Sequence, residues 1–404
     1  MKKLFRFYID SYRGLSKPAW MLALVMLINR TGSMVLPFLG IYMLKVLDFS
    51  MKEAGIVLSC YGFGSVIGAW LGGKLTDKIG HFKVQAVSLI LTFPIFFIIY
   101  FLKDMWSLAI GVFVLTLVAD TFRPANSVSV VYYAKPENIT RAFSLNRMAI
   151  NLGFSIGPAV GGLLAAISYK LLFYGNGVGA LIAGLVFYFY FKNRKGNPDA
   201  LVQHKTQEEL RAEKQKSPYK DIPYLFFSLF ITLYAISFFQ ILSTLPMYYE
   251  RVYQFNEADI GLLIAFSSLV VFGLEMVLVR LAEIRYKPHS VIIAGTFITG
   301  LSFVVLNFSS GVWILYASMF LLSIGEIFAM PFMATVAIQQ STSLTRGAYM
   351  GLNTLAFSLA HIFSPFLGTR LAENFGFEVL WWASGLLCVV ACFGFYFVMK
   401  KMKM

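Results

Sequence analysis

Twelve long apolar stretches, joined by short polar links and one basic central loop, constrain this chain more than any other feature. A run of about 20 apolar residues crosses a bilayer as a helix. The runs fall near Ala19–Leu44, Ala54–Leu75, Val84–Leu102, Trp106–Val131, Ala142–Ala166, Leu171–Phe191, Ile222–Tyr249, Ile260–Ala282, Ser290–Phe308, Val312–Ile338, Tyr349–Leu371 and Val379–Met399. They are continuous rather than alternating in polarity, which favours helices over barrel strands. With 58% hydrophobic and 13% charged residues, a soluble fold is excluded. No cleavable signal peptide is expected: the first run is too long, carries Asn29 and Arg30 near its middle, and lacks a cleavage site.

The net charge of +14 invites a nucleic-acid reading, but its distribution argues against one. Lys2, Lys3, Arg6, Arg13 and Lys17 precede the first run. Lys74, Lys78 and Lys83 surround the second link, and Lys135 and Arg141 the fourth. The central loop is basic from Lys192 to Lys220, and Arg285, Lys287, Arg346, Lys400, Lys401 and Lys403 complete the set. Counting crossings, all lie on one side of the membrane. The opposite links pair their few bases with acids, as in Lys103–Asp104 and Glu250–Arg251. That is the positive-inside pattern, so both termini are expected in the cytoplasm. Attraction to anionic membrane lipids follows as a secondary effect.

Cys60, Cys388 and Cys392 all sit within apolar runs, where packing is expected rather than a disulfide or metal site. Most of the 40 Phe, 21 Tyr and 6 Trp are expected to face lipid or form interfacial belts, though some could line an apolar cavity. Between the sixth and seventh runs, residues 192–221 form a charged linker. Its Ala200–Gln215 portion reads as a solvated joint or a short surface helix resting on Leu201, Val202 and Leu210.

The two sides of this linker resemble each other. Leu145-Asn146, Gly157-Pro158, Gly161 and Leu164-Ala165 recur as Leu352-Asn353, Ser364-Pro365, Gly368 and Leu371-Ala372, each 207 residues later. Pro124 and Pro331 share that offset, and Leu75 and Asp77 match Leu281 and Glu283 at one residue less. A six-helix unit has been duplicated. The expected domains are residues 1–191, the linker 192–221, and residues 222–404. Two parallel repeats with a binding site between them is the build of a secondary transporter.

The link between the second and third runs reads Gly73-Lys74-Leu75-Thr76-Asp77-Lys78-Ile79-Gly80-His81-Phe82-Lys83. It resembles the G-x-L-x-D-[RK]-x-G-[RK]-[RK] signature of the major facilitator superfamily, with His81 and Phe82 departing from the basic pair. Gly73 and Gly80 suit close backbone approach and a tight reversal, Asp77 suits a helix N-terminus, and Lys78 and Lys83 suit acids or lipid heads. The resemblance implies that this link helps hold the two halves together when the outer face is open. Tyr132 stands where relatives often carry an acid. Gly153-x-x-x-Gly157-Pro158-x-x-Gly161-Gly162 in the fifth run is similar to the motif of drug:proton antiporters, with Ser144 in place of an upstream Gly. Its glycines allow backbone-to-backbone packing, and Pro158 removes a hydrogen bond, so a hinge or a seal against the eleventh run is expected.

Ionisable residues inside the runs cost about 2.5–3.5 kcal/mol each on insertion scales and need a reason to be there. The candidates for proton coupling or substrate binding are Arg30, Asp120, Arg123, Arg147, Glu275 and Glu326. Asp120 and Arg123, three apart, share a helix face. They form either a proton acceptor tuned by Arg123 or Arg30, or a static buried pair. Glu326, with no cation near in sequence, is a proton carrier, a counter-charge for a cationic substrate, or a neutral packing residue. His361 reads as a hydrogen-bonded packing residue.

The expected fold is an all-α membrane protein of twelve transmembrane helices in two pseudo-symmetric six-helix bundles. The expected function is alternating-access export of small amphipathic compounds in exchange for protons, by a monomer in a bacterial inner membrane. Its partners are a small-molecule substrate, protons and membrane lipids, with no nucleic acid, metal or cofactor. The alternative is a proton-coupled importer of a sugar, peptide or organic anion, its anionic group held by Arg30, Arg123 and Arg147. The acid-x-x-acid-Arg pattern of proton–peptide symporters is missing from the first run. No G-x-x-x-x-G-K-[ST] loop for an ATP-driven pump is present, and no enzyme activity is expected.

Overall fold

The computed structural model describes residues 14–135, 139–194, 218–308, 311–341 and 345–402. The helices are α1 (Lys17–Thr31), α2 (Val35–Lys45), α3 (Met51–Ile79), α4 (His81–Phe101), α5 (Met105–Asp120), α6 (Phe122–Tyr133) and α7 (Ile139–Ile167). They continue as α8 (Tyr169–Phe191), α9 (Ile222–Phe238), α10 (Thr244–Tyr253), α11 (Glu257–Arg285), α12 (Pro288–Val304), α13 (Val312–Gln340) and α14 (Arg346–Lys401). No strand occurs among the described residues. The 200–215 segment and the bases of the N-terminus fall outside them.

Several links end in residues that cap the helix that follows. Asp104 accepts from the backbone of Trp106 and Ser107 at 3.0 and 3.1 Å, and Asn256 from Asp259 at 2.9 Å. Asp221 accepts from Tyr224 N at 3.1 Å, and also from Gln340 and the Tyr349 hydroxyl, each at 2.8 Å. Each cap satisfies amides that a helix start leaves unpaired.

Among the described residues, eleven helical stretches are long and apolar enough to span a membrane. The last, Ala348–Lys401, is 54 residues, and at 1.5 Å per residue reaches about 80 Å, well beyond the ~30 Å of one hydrocarbon core. Gly376 breaks its helical backbone at φ 87°, a conformation that side chains other than glycine's resist. Twelve crossings are reached only by counting this stretch as two. Of the six tryptophans, Trp20, Trp70, Trp106, Trp313 and Trp382 are exposed on the protein, as a lipid-facing surface requires, and Trp381 is buried.

Contacts divide the chain into two compact units. The first comprises Met1–Val35 and Phe63–His204, the second Leu36–Gly62 and Lys205–Met404. In the first, α1 packs on α7 and α8, and α4 on α8. In the second, α13 packs on α11 and α12, and α14 on α9 and α12. By their contacts, residues 36–62 group with the second unit. Their packing is close. Cβ atoms added at Gly40 and Gly55 would collide with the Met247 and Thr369 side chains, and one at Gly62 would lie 2.8 Å from the His361 backbone. Lys45 lies 3.2 Å from Glu257 and 3.6 Å from Glu250, and Ser59 donates to Ile362 O at 3.0 Å.

Candidate functional site

The first run does not form one helix. It breaks between Thr31 and Val35, and the break is held from α8: Asn176 Oδ1 accepts from Met34 N at 2.8 Å and from Val35 N at 3.1 Å. Arg30 lies in the last turn of α1, where a cation is favoured by the helix dipole, with its guanidinium 5.6 Å from the Phe154 ring. The fifth-run glycines pack against this break. A Cβ on Gly153 would collide with Arg30 Cβ, and one on Gly157 would lie 3.1 Å from Arg30 O and 3.2 Å from Thr31 O. Pro158 interrupts the hydrogen-bond ladder of α7 beside them, and Gly161 and Gly162 are buried. The motif residues therefore bring α7 onto Arg30.

Asp120 closes α5 and is 6% exposed. Its Oδ1 lies 2.8 Å from Arg123 Nε, while its buried Oδ2 has no hydrogen-bond partner among the described residues. Arg123 is 46% exposed at its side chain, so this pair is lopsided, with the acid in the core and the base reaching outward. Arg147 is exposed on α7.

In the 73–83 link, one residue makes the reversal. Gly80, at φ 87°, joins α3 directly to α4. Close approach falls at Gly72, whose added Cβ would meet Thr121 Cα at 2.6 Å, while a Cβ on Gly73 would meet nothing within 4 Å. Helical rotation explains the shift, since adjacent residues point about 100° apart. Asp77, Lys78 and Lys83 are exposed. The two positions that depart from the family signature are packing contacts. His81 Nδ1 and Ser129 Oγ share a 2.7 Å hydrogen bond, and the His81 ring lies 4.7 Å from that of Tyr132. Phe82 stacks on Phe187 at 5.5 Å. Gln85, one turn on, donates to Ala125 O at 3.2 Å and to Ser129. The link is thus fastened to α6 and α8 by aromatic and polar contacts.

In the second unit, Glu326 and Glu275 are each half-buried, on α13 and α11. The residue before Glu326 is a close crossing: a Cβ on Gly325 would lie 2.8 Å from Thr299 N and 2.9 Å from Gly295 O. Glycine here lets α13 reach the backbone of α12. His361 stacks on Phe239, with centroids 3.6 Å apart. The seventh run breaks like the first: α9 ends at Phe238, a 3-10 turn spans Phe239–Leu242, and α10 begins at Thr244. Gln240 ties this break to α14. It donates to Ile236 O at 3.3 Å and Ser364 O at 3.2 Å, and accepts from the Thr244 hydroxyl. Asn176 and Gln240 had no signal in the sequence beyond being polar within apolar runs. Among the described residues no group of three or more His, Cys, Asp or Glu converges to hold a metal.

The Major Facilitator Superfamily profile matches residues 21–287 and 225–403, and the chain belongs to that family. It is a multi-pass membrane transporter of small molecules and not an enzyme. The chain is 26% identical to an uncharacterized MFS-type transporter, YttB, of Bacillus subtilis, over 89% of each. It is 24% identical to the multidrug resistance protein MdtH of Cronobacter sakazakii, over 80% of this chain and 78% of that one. To the class B tetracycline resistance protein of Escherichia coli it is 25% identical, over 78% and 77%. Among solved structures, the peptide transporter POT in complex with sulfate superposes with a TM-score of 0.77 at 18% identity, over 94% of both chains. The nucleoside transporter NupG gives 0.76 at 16% identity, over 95% of this chain and all of that one. These two likenesses establish the fold.

Proposed function

We propose that this transporter exports small amphipathic compounds in exchange for protons, by alternating access between halves formed by residues 1–191 and 222–404. Asp120 carries the reading. Its carboxylate is buried, with one oxygen on Arg123 and the other unbonded among the described residues, so Oδ2 offers a site for a proton whose arrival turns the ion pair into a neutral hydrogen bond at Oδ1. Glu326, on α13, is the candidate acid of the second half. A proton taken up from one compartment is released to the other as the halves rock. One charge moving down 100 mV supplies about 2.3 kcal/mol, which biases the cycle without nucleotide hydrolysis. The drug and tetracycline resistance proteins among the relatives support export.

In this scheme Gly376 turns the chain between an eleventh and a twelfth crossing. Both termini lie in the cytoplasm of a bacterium, and the monomer sits in the inner membrane. Gly153, Gly157, Pro158, Gly161 and Gly162 hold α1 against α7 as the halves rock. Asp77, Lys78 and Lys83 face the cytoplasm. Arg30, Arg147 and Glu275 set the charge met by substrate.

Dye efflux from vesicles carrying the purified protein under an imposed proton gradient tests the reading. Wild-type efflux should follow the gradient, and Asp120→Asn or Glu326→Gln should abolish it at normal expression. Unchanged efflux in both variants would sink proton coupling through these acids. Unchanged resistance with lost nutrient uptake would turn the assignment to import.

A further inference from the structure

Residues 36–62 are joined at both ends to residues that group with the first unit, yet their own contacts group them with the second. At one end the helix is already interrupted, since α1 stops at Thr31 and α2 starts at Val35. Polar contacts fasten the segment where α2 ends and α3 begins. Lys45, in the last turn of α2, has its ammonium 3.2 Å from Glu257 in the first turn of α11. The same ammonium lies 3.6 Å from Glu250 on α10. At the start of α3, Glu373 of α14 accepts from Lys52 N at 2.7 Å. Farther along α3, Ser59 is 6% exposed and donates to Ile362 O at 3.0 Å.

The placement of charge makes the Lys45 contact one that can part. A cation is favoured at the C-terminus of a helix and an anion at the N-terminus. Lys45 on α2 and Glu257 on α11 are therefore each stabilised by their own helix when separated. The Lys45 side chain is 37% exposed, so water reaches the ammonium as the pair opens. An apolar contact would instead lay bare surface that water solvates poorly. Glu250 lies towards the end of α10, where the dipole opposes its charge, and is the weaker partner.

We propose that residues 36–62 are a movable closure on the outer face, with Lys45 as its ionic catch and Glu257 as the group that holds it. Parting of this pair accompanies opening to the outside. The proposal rests on the proposed topology, which puts the links that carry Lys45, Glu250 and Glu257 outside the cytoplasm.

The test follows one thiol. In the full chain with Cys60, Cys388 and Cys392 replaced by alanine, Ser59→Cys puts a thiol on the face that α3 turns to Ile362. A membrane-impermeant maleimide is then added to right-side-out and to inside-out membrane vesicles. From the outside, Lys45→Met and Glu257→Gln should each speed labelling about fivefold, and Glu250→Gln by less. Lys45→Arg, which keeps the charge, should stay near the parent rate. Unchanged labelling in both K45M and E257Q overturns the catch. So does a K45R rate as fast as that of K45M, since charge would then not be what holds the segment. If K45M fails to reach the membrane, E257Q reads the same contact from its other side. Acceleration seen only in inside-out vesicles would overturn the topology, and with it the placement of the closure on the outer face.

Discussion

Helix α1 ends at Thr31 in the first unit, and α9 ends at Phe238 in the second, 207 positions later. In each unit the partner is the run bearing the duplicated motif, α7 in one and α14 in the other. The chemistry at the two contacts differs. In the first, Gly153 and Gly157 bring α7 onto the backbone of Arg30 and Thr31, and Asn176 reaches in from α8 to cap the restart at Val35. In the second, Ser364 stands at the place of Gly157. There Gln240 bridges from the break itself to Ser364 O, and its amide fills the space over Gly368. Duplication has kept the position of the break and changed how it is held. A glycine contact is rigid, because backbone meets backbone. An amide bridge lets a side chain yield.

That contrast can be broken at several points. The largest effect is expected from Asn176→Ala, which leaves Met34 N and Val35 N buried without their acceptor. Two such losses should lower the unfolding free energy by about 3 kcal/mol, measured by denaturant titration of the detergent-solubilised protein. Gly153→Ala comes next, at about 2 kcal/mol, because the new methyl meets Arg30 Cβ and Thr31 N, neither of which can swing away. Gly368→Ala should cost only about 1 kcal/mol, since the atoms it meets are the far end of Gln240. Adding Gln240→Ala should then restore part of that loss in a double-mutant cycle, and an additive result would show that the second break is as rigid as the first. Gly73→Ala, with open space around its Cβ, should change stability by less than about 0.5 kcal/mol.

Much of this was legible in the chain itself. The duplicated Asn146 and Asn353 were found by their offset, and both prove buried, each with an unbonded Oδ1 among the described residues. The Asp120–Arg123 pair followed from its three-residue spacing, and the fifth-run glycines from their interval of four, because neighbours on one helix face are fixed by helical pitch. The close contact expected of Gly73 fell one residue earlier, at Gly72, since spacing gives a face only to within a fraction of a turn. His81 and Phe82 read as departures from a signature. Their purpose, as anchors on α6 and α8, emerged only when those helices stood beside them.

The sequence by itself determined the membrane-spanning helices, the basic links and the duplicated plan. Apolar run length, charge placement and repeat offset are properties of contiguous residues, and no distant contact is needed to express them. Tertiary structure alone decided that Asn176 caps a helix 142 residues away and that Gln240 reaches Ser364. A hydrogen bond requires its partners within about 3.2 Å and in line. Only the rotation and crossing of packed helices can set that, and no local pattern encodes either.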